Sequence, residues 1–202
     1  LLLFYYSVKE IQSERLYSFL IMGVLSFISI LCKPNYSLAY LPVLCMAILV
    51  LNIKSHQYLG AIIKCALVAV PSILILFYQW YFTFIDSSVP LHGTKTIIAP
   101  FLVWSYYTPH ILISLLLSIL FPLWILIFYF KKIDFYLRLA WLTFLLAVAT
   151  FSLLAEYPDW INGNYGWGLI SSSYILFLFS AICLLNQPFD WKSKMAYTIF
   201  GA

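Results

Sequence analysis

Charged side chains are scarce in this sequence. Only 9% of its 202 residues are Asp, Glu, Lys or Arg, whereas 64% are hydrophobic and 20% are aromatic. An ordinary soluble domain carries about 25% charged residues, so 11 basic and 7 acidic side chains are too few to coat a soluble globule of this length. The composition excludes a soluble enzyme and a disordered tail, and it indicates an integral membrane protein.

Motifs with a recognised chemistry are also missing. There is no phosphate-binding glycine loop, no His-Glu pair at zinc spacing and no Gly-x-Ser-x-Gly elbow. The four cysteines lie within or at the edges of apolar runs and none pairs with another at metal-ligand spacing (Cys32, Cys45, Cys65 and Cys183). We therefore expect no disulfide framework and no zinc site. No cofactor is visible, and a divalent metal would have to be held by residues outside this fragment.

Long apolar runs are what the sequence does contain. Six of them, each about 17–25 residues long and free of charge, fit spanning helices: 16–32, 36–53, 65–85, 106–130, 139–155 and 165–185. The ten-residue alternation typical of a membrane β-barrel is absent from the sequence. The runs predict one all-α transmembrane domain over 1–202, with partial spans at 1–8 and 195–202. Neither end is a complete span, so we expect an interior piece of a longer polytopic protein.

Basic residues alternate between the loops of this predicted bundle. Nine Lys and Arg fall in the loops 9–15, 54–64, 131–138 and 186–194, whereas only Lys33 and Lys95 fall in the loops 33–35, 86–105 and 156–164. The positive-inside rule places the first set in the cytoplasm and the second set outside. The net charge of +4 thus reports topology and does not indicate a nucleic-acid partner.

The first candidate feature on the outer face is the tight turn Lys33-Pro34-Asn35. Pro34 ends one helix, and the turn leaves the Lys33 ammonium at the interface, where it could meet a phosphate or an acidic headgroup. Alternatively, Lys33 is a helix-end lysine that only reaches toward water.

The second feature is the long outer loop 86–105. Its apolar piece 96–104 is too short to span, so we expect it to lie in the interface or to re-enter the membrane. Long loops are disproportionately functional, and Asp86, His92 and Lys95 could act on a phosphate or a proton. The alternative is a simple interfacial cap.

The third feature concentrates carboxylates, amides and aromatic rings just outside two spans. Glu156 and Asp159 could act as a general base or an orienting group. Asn162 and Asn164 could hydrogen-bond sugar hydroxyls, and Trp167 could stack on a sugar ring. The alternative is an aromatic-belt loop with a glycine-rich turn.

Several short segments resemble the bacterial members of the multi-spanning GT-C glycosyltransferases. The likeness lies in the Lys-Pro turn between paired helices, the short outer turns and the interfacial outer loop. The segments concerned are 29–36 followed by Leu41-Pro42, 98–101, 118–122 and 163–167.

This resemblance implies transfer of a sugar from a polyprenyl-phosphate carrier, with inversion, to an envelope glycan, lipid or protein acceptor. The reaction would take place on the outer face of a bacterial inner membrane. Lys33, Lys95 or His92 would stabilise the leaving phosphate while a carboxylate activates the acceptor hydroxyl.

The catalytic carboxylate of this family usually lies in the first large outer loop, and no residue here matches that position. Asp86, Glu156 and Asp159 are therefore supporting candidates only. Two other classes stay open, a transporter or flippase fragment and a non-catalytic subunit of a membrane complex. The lack of charge in the middle of the predicted spans counts against a transporter.

Overall fold

A computed structural model describes residues 1–54, 56–85, 95–187 and 191–201 of the chain. Within these ranges the protein is a helical bundle with one two-stranded sheet and two short 3₁₀ turns. The predicted all-α class is confirmed, and the small sheet is an addition to it. The helices are α1 (Leu2–Glu10), α2 (Leu16–Cys32), α3 (Pro34–Lys54), α4 (Tyr58–Phe84), α5 (Leu102–Tyr107), α6 (Ile111–Ser118), α7 (Leu120–Phe128), α8 (Phe135–Leu153), α9 (Gly166–Leu185) and α10 (Trp191–Phe200). The strands are β1 (Lys95–Ile98) and β2 (Leu154–Tyr157).

In the described part of the chain, four segments are helical, long and apolar enough to cross a membrane. They are Pro34–Ile53, Tyr58–Phe82, Phe135–Leu153 and Trp160–Leu185. A bent pair, α6 with α7, makes a fifth if it counts as one span. Helix α2 has the predicted bounds 16–32, but its 17 residues are fewer than the ~20 of a typical span. The prediction of six complete spans is therefore not confirmed.

The run 106–130 was expected to form one spanning helix, and in the structure it is divided among α5, α6 and α7. The chain bends by 68° between α6 and α7 at Ile119. Pro122 explains the break, because proline has no N–H to donate to the carbonyl of Ser118 and its ring clashes with that carbonyl. A new helix starts at Leu120, so Pro122 lies in its first turn, where the missing donor costs little.

The loops are shorter than the charge pattern suggested, because the helices α3, α4 and α8 begin earlier than predicted. Helix α4 starts at Tyr58, so Lys64 belongs to a helix and not to the loop 54–64. Helix α8 starts at Phe135 and thereby takes in Arg138. The Asp134 side chain caps α8 by accepting a hydrogen bond of 2.8 Å from the Leu137 N–H. The predicted partial spans are the short helices α1 and α10.

Small residues allow the helices to approach closely. Helix α2 packs on α4, and a Cβ atom on Gly23 would lie 2.2 Å from the backbone oxygen of Leu67. At the same crossing the buried Ser72 hydroxyl donates to the Ser26 hydroxyl at 2.8 Å. This combination of small residues and interhelical hydrogen bonds is typical of helices packed in a membrane.

Apolar side chains lie on both the inside and the outside of the bundle. Helix α3 touches α4, α8 and α9, and its Tyr40 is fully buried with Phe4 and Phe144 in the main core. On the outside, large side chains such as Leu74 remain 63% exposed within a span. An outer surface of this kind is consistent with contact to a lipid bilayer.

Candidate functional site

One end of the bundle collects polar residues from three separate parts of the sequence. The turn between α2 and α3, the β1–β2 ribbon and the segment leading into α9 meet there. The Asn35 side-chain amide donates to the backbone oxygen of Asn164, and the Asn164 amide donates to the Glu156 carboxylate. These hydrogen bonds join residues that lie up to 129 positions apart in the sequence. Two of the three predicted outer loops are therefore linked directly.

A cation–aromatic contact lies beside this chain of hydrogen bonds. The Lys33 ammonium sits over the face of Trp167, with its Nζ atom 3.9 Å from the ring centroid. Both side chains are exposed, and the N–H groups of the lysine that point away from the ring are available to a ligand. Lys33 is thus held at a defined place by the first turn of α9.

The β1–β2 ribbon brings residues 95–98 of the predicted loop 86–105 to the same end of the bundle. The strands are antiparallel, and Thr96 stands opposite Glu156 in the register. The Thr96 hydroxyl lies 2.9 Å from the Tyr165 hydroxyl, which ties β1 to the start of α9. The Lys95 ammonium approaches the ring of Tyr157 at 5.8 Å. The segment 96–104, which we expect to lie in the interface or to re-enter the membrane, thus begins in the strand β1 and ends in the helix α5.

Glu156 is half-buried among its neighbours. A small crevice beside it is lined by residues that include Val103, Phe151 and Asn164, and it has no room for a water molecule. The carboxylate already accepts from Asn164. This geometry suits an orienting group that holds the turn at Asn164, and it leaves no space for a substrate at this crevice.

The other predicted site residues have different environments. Asp159 precedes the 3₁₀ turn Trp160–Asn162, and Asn162 is the last residue of that turn. Both are exposed, and within the described ranges their side chains have no hydrogen-bond partner. Asp86 and His92 lie outside the described residues. Among the residues that are described, no group of three or more His, Cys, Asp or Glu is placed to hold a metal ion.

An open groove begins at Lys33 and runs down the side of the bundle. It has a volume of about 420 Å³. Its lining comes from α2, α3 and α9: Ser29, Cys32, Lys33, Tyr36, Ser171, Tyr174, Ile175 and Leu178, together with Leu1. Ser171, Tyr174 and Leu178 follow Trp167 at helical spacing, so they continue the face of α9 on which Lys33 rests.

Sequence reasoning missed this groove and the Thr96–Tyr165 contact. Ser171 belongs to the hydroxyl-rich run 171–173, whose composition alone favours helix packing. The i, i+4, i+7 spacing from Trp167 was the only signal in the sequence, and it becomes meaningful only when Lys33 is placed beside Trp167.

Comparison with protein-family models, with curated proteins and with solved structures finds no match to this chain.

Proposed function

We propose that this chain is part of a membrane glycosyltransferase that takes a sugar from a polyprenyl-phosphate carrier. The observation that carries the proposal is the Lys33 ammonium at one end of an open groove on the side of the bundle. A ligand with a phosphate group and a long apolar tail matches a cation joined to an apolar groove.

The polarity of the groove changes along its length in the way such a ligand requires. Ser29 and Ser171 contribute hydroxyl groups to the lining. Ile175 and Leu178 lie further along α9 and offer an apolar surface to an isoprenoid chain. Phosphate oxygens accept strong hydrogen bonds from an ammonium, particularly near a membrane of low dielectric constant.

The sugar would lie above the groove, where aromatic and amide groups are concentrated. The Trp167 ring is 46% exposed and could stack on a sugar ring. The exposed Asn162 amide lies on the same turn and could bond sugar hydroxyls. Asn164 is already engaged with Asn35 and Glu156, so its role is to shape this turn.

The two described carboxylates receive different roles in this proposal. Asp159 is exposed and is the candidate for activating an acceptor hydroxyl. Glu156 is a positioning residue, because its carboxylate holds Asn164 and its crevice is closed. Inversion at the anomeric carbon, an outer-face location and a bacterial inner membrane follow from the GT-C resemblance and the charge pattern.

A second candidate is a lipid flippase, and the broken helix pair favours it. Discontinuous helices such as α6 and α7 often surround the substrate path of transporters. A flippase would move the lipid carrier across the membrane without changing it.

The experiment is photocrosslinking of undecaprenyl phosphate to the full-length protein in nanodiscs. We expect Lys33→Met to weaken capture at least about tenfold, since a charged hydrogen bond is worth ~1.5–3 kcal/mol. Lys131→Met removes an exposed lysine from the opposite end and serves as the matched control. Capture in the wild type should map to α9 at Tyr174 or Leu178.

Equal capture by the Lys33→Met and Lys131→Met variants would contradict phosphate binding at this site. A dithionite assay with a fluorescent lipid in proteoliposomes separates the two candidates. Lipid movement without sugar transfer would favour the flippase.

A further inference from the structure

The end of the bundle opposite the candidate site contains a buried lysine. Lys64 lies in the second turn of α4 and is only 6% exposed. Its Nζ atom donates to the Asn52 side-chain oxygen at 2.9 Å and lies 5.0 Å from the centre of the Phe19 ring. Asn52 is itself 5% exposed and donates to the backbone oxygen of Ile48.

The charge of Lys64 is incompletely compensated by these contacts. An ammonium group has three N–H donors, and one neutral amide oxygen accepts from it here. Within the described ranges, no carboxylate forms an ion pair with Lys64. A buried charge normally requires a paired or hydrogen-bonded counter-group. An ionisable group inside a spanning segment is therefore a binding-site hypothesis by default.

Lys64 also lines a cavity that is large enough for a small polar group. The cavity has a volume of about 270 Å³, and its lining includes Gln12, Glu14, Asn52 and Gln57. Gln12, Glu14 and Gln57 are exposed at its rim, whereas Lys64 and Asn52 are buried. The cavity thus has a positive floor and a rim that carries one negative charge and two amides.

A purely structural role for Lys64 does not account for this arrangement. A lysine that only reaches toward water keeps its charged group hydrated, but Lys64 is buried and bonded to a buried amide. An internal ion pair would bring Glu14 onto Lys64, but the structure makes no such pair.

We propose that this cavity binds a phosphoethanolamine group. The phosphate would accept hydrogen bonds from Lys64 and from the Gln12 and Gln57 amides, and the ligand's ammonium would face Glu14. A zwitterion suits the cavity better than a bare anion, because Glu14 repels negative charge. The group could come from phosphatidylethanolamine or from soluble phosphoethanolamine, and the site is independent of the function proposed for Lys33.

The experiment measures thermal unfolding of the full-length protein in detergent with three added ligands. These are phosphatidylethanolamine, phosphatidylglycerol and soluble phosphoethanolamine. In the wild type, we expect phosphatidylethanolamine to raise the Tm at lower concentration than phosphatidylglycerol, because binding to the native state stabilises it. Equal effects of the two lipids on the wild type would overturn the proposal.

Two variants test the two charges of the cavity. Lys64→Met removes the buried charge at similar length, and it should raise the half-saturating phosphatidylethanolamine concentration at least about tenfold. Glu14→Gln changes only an exposed rim residue, so it tests the site even if Lys64→Met fails to fold. It should abolish the preference for phosphatidylethanolamine over phosphatidylglycerol. Lys131→Met is the control and should respond as the wild type does.

Wild-type behaviour of either cavity variant would overturn the proposal. The soluble ligand identifies the source of the group. If soluble phosphoethanolamine competes with phosphatidylethanolamine for the site, the headgroup alone is enough for binding. A response to the lipid without such competition would show that the site recognises the headgroup on its lipid. Both results support the site.

Discussion

A Cβ atom on Gly168 would lie 2.6 Å from the backbone oxygen of Asn35. Gly168 is in the first turn of α9, one residue after the Trp167 that holds Lys33, and Asn35 is the second residue of α3. The absence of a side chain at residue 168 is therefore what lets α9 approach the turn at Lys33.

Replacing Gly168 by Ala should separate these two elements. The added methyl meets backbone atoms that cannot rotate away, and we expect a loss of about 1–3 kcal/mol in the free energy of unfolding. Gly60→Ala is the matched control, because its Cβ would have no neighbour closer than 3.9 Å. That change should be neutral or stabilise the helix by up to about 1 kcal/mol. Unfolding in mixed micelles measures the free energy of unfolding of both variants. Equal losses of stability in the two would contradict the close approach of α9 to Asn35.

The role of Glu156 can be read from two substitutions. Glu156→Gln keeps an oxygen that accepts from Asn164, so a positioning residue should retain most sugar transfer in this variant. Glu156→Ala removes the acceptor and should lower both transfer and stability, by about 1–3 kcal/mol for the unpaired amide. Turnover and thermal unfolding of the two variants provide the measurement. A Gln variant that folds normally but has lost all turnover would identify Glu156 as the base instead.

Asp134 should stabilise α8 through its cap. Its carboxylate accepts from the Leu137 N–H at 2.8 Å, so Asp134→Ala should cost about 1 kcal/mol of stability. Asp134→Asn retains a capping oxygen and is the control, with a loss of a few tenths of a kcal/mol at most. Denaturant unfolding would distinguish them, and identical Ala and Asn variants would show that the cap contributes nothing.

The hydrogen bond between Ser26 and Ser72 should be measurable by a double-mutant cycle. Alanine at both positions should reveal a coupling free energy of about 0.6 kcal/mol, the average for such bonds between membrane helices. Ser180 is a suitable control partner for Ser26, because its buried hydroxyl lies on α9 and has no hydrogen-bond partner among the described residues. That cycle should give a coupling within about 0.3–0.5 kcal/mol of zero. A coupling of the same size in both cycles would contradict a specific bond.

Hydropathy located most of the helices, and its errors have identifiable causes. The run 16–32 matches α2 at both ends, because the charged Arg15 and Lys33 flank it and Pro34 cannot continue the helix. The run 106–130 is divided in the structure because Pro122 opposes the carbonyl four residues earlier, and a hydropathy average does not register this. The run 139–155 included Leu154 and Ala155, which are as apolar as their helical neighbours but pair with β1.

The site residues were partly predictable for a similar reason. Lysines, carboxylates and amides stand out in a sequence so poor in polar groups, and Lys33, Asn35, Glu156, Asn164 and Trp167 do come together. Their partners could not be deduced, since the pairing of Asn35 with Asn164 depends on how α3 and α9 pack. Lys64 was predicted to be a loop residue because it lies beside an apolar run, but the fold buries it.

By itself the sequence determined the helical class of the protein and the positions of most of its apolar helices. These properties depend on local composition, which each segment carries wherever it packs. Only the tertiary structure decided the β1–β2 pairing, the crevice at Glu156, the groove below Lys33 and the burial of Lys64. Each of these results from contacts between residues far apart in the chain, and no local pattern encodes such contacts.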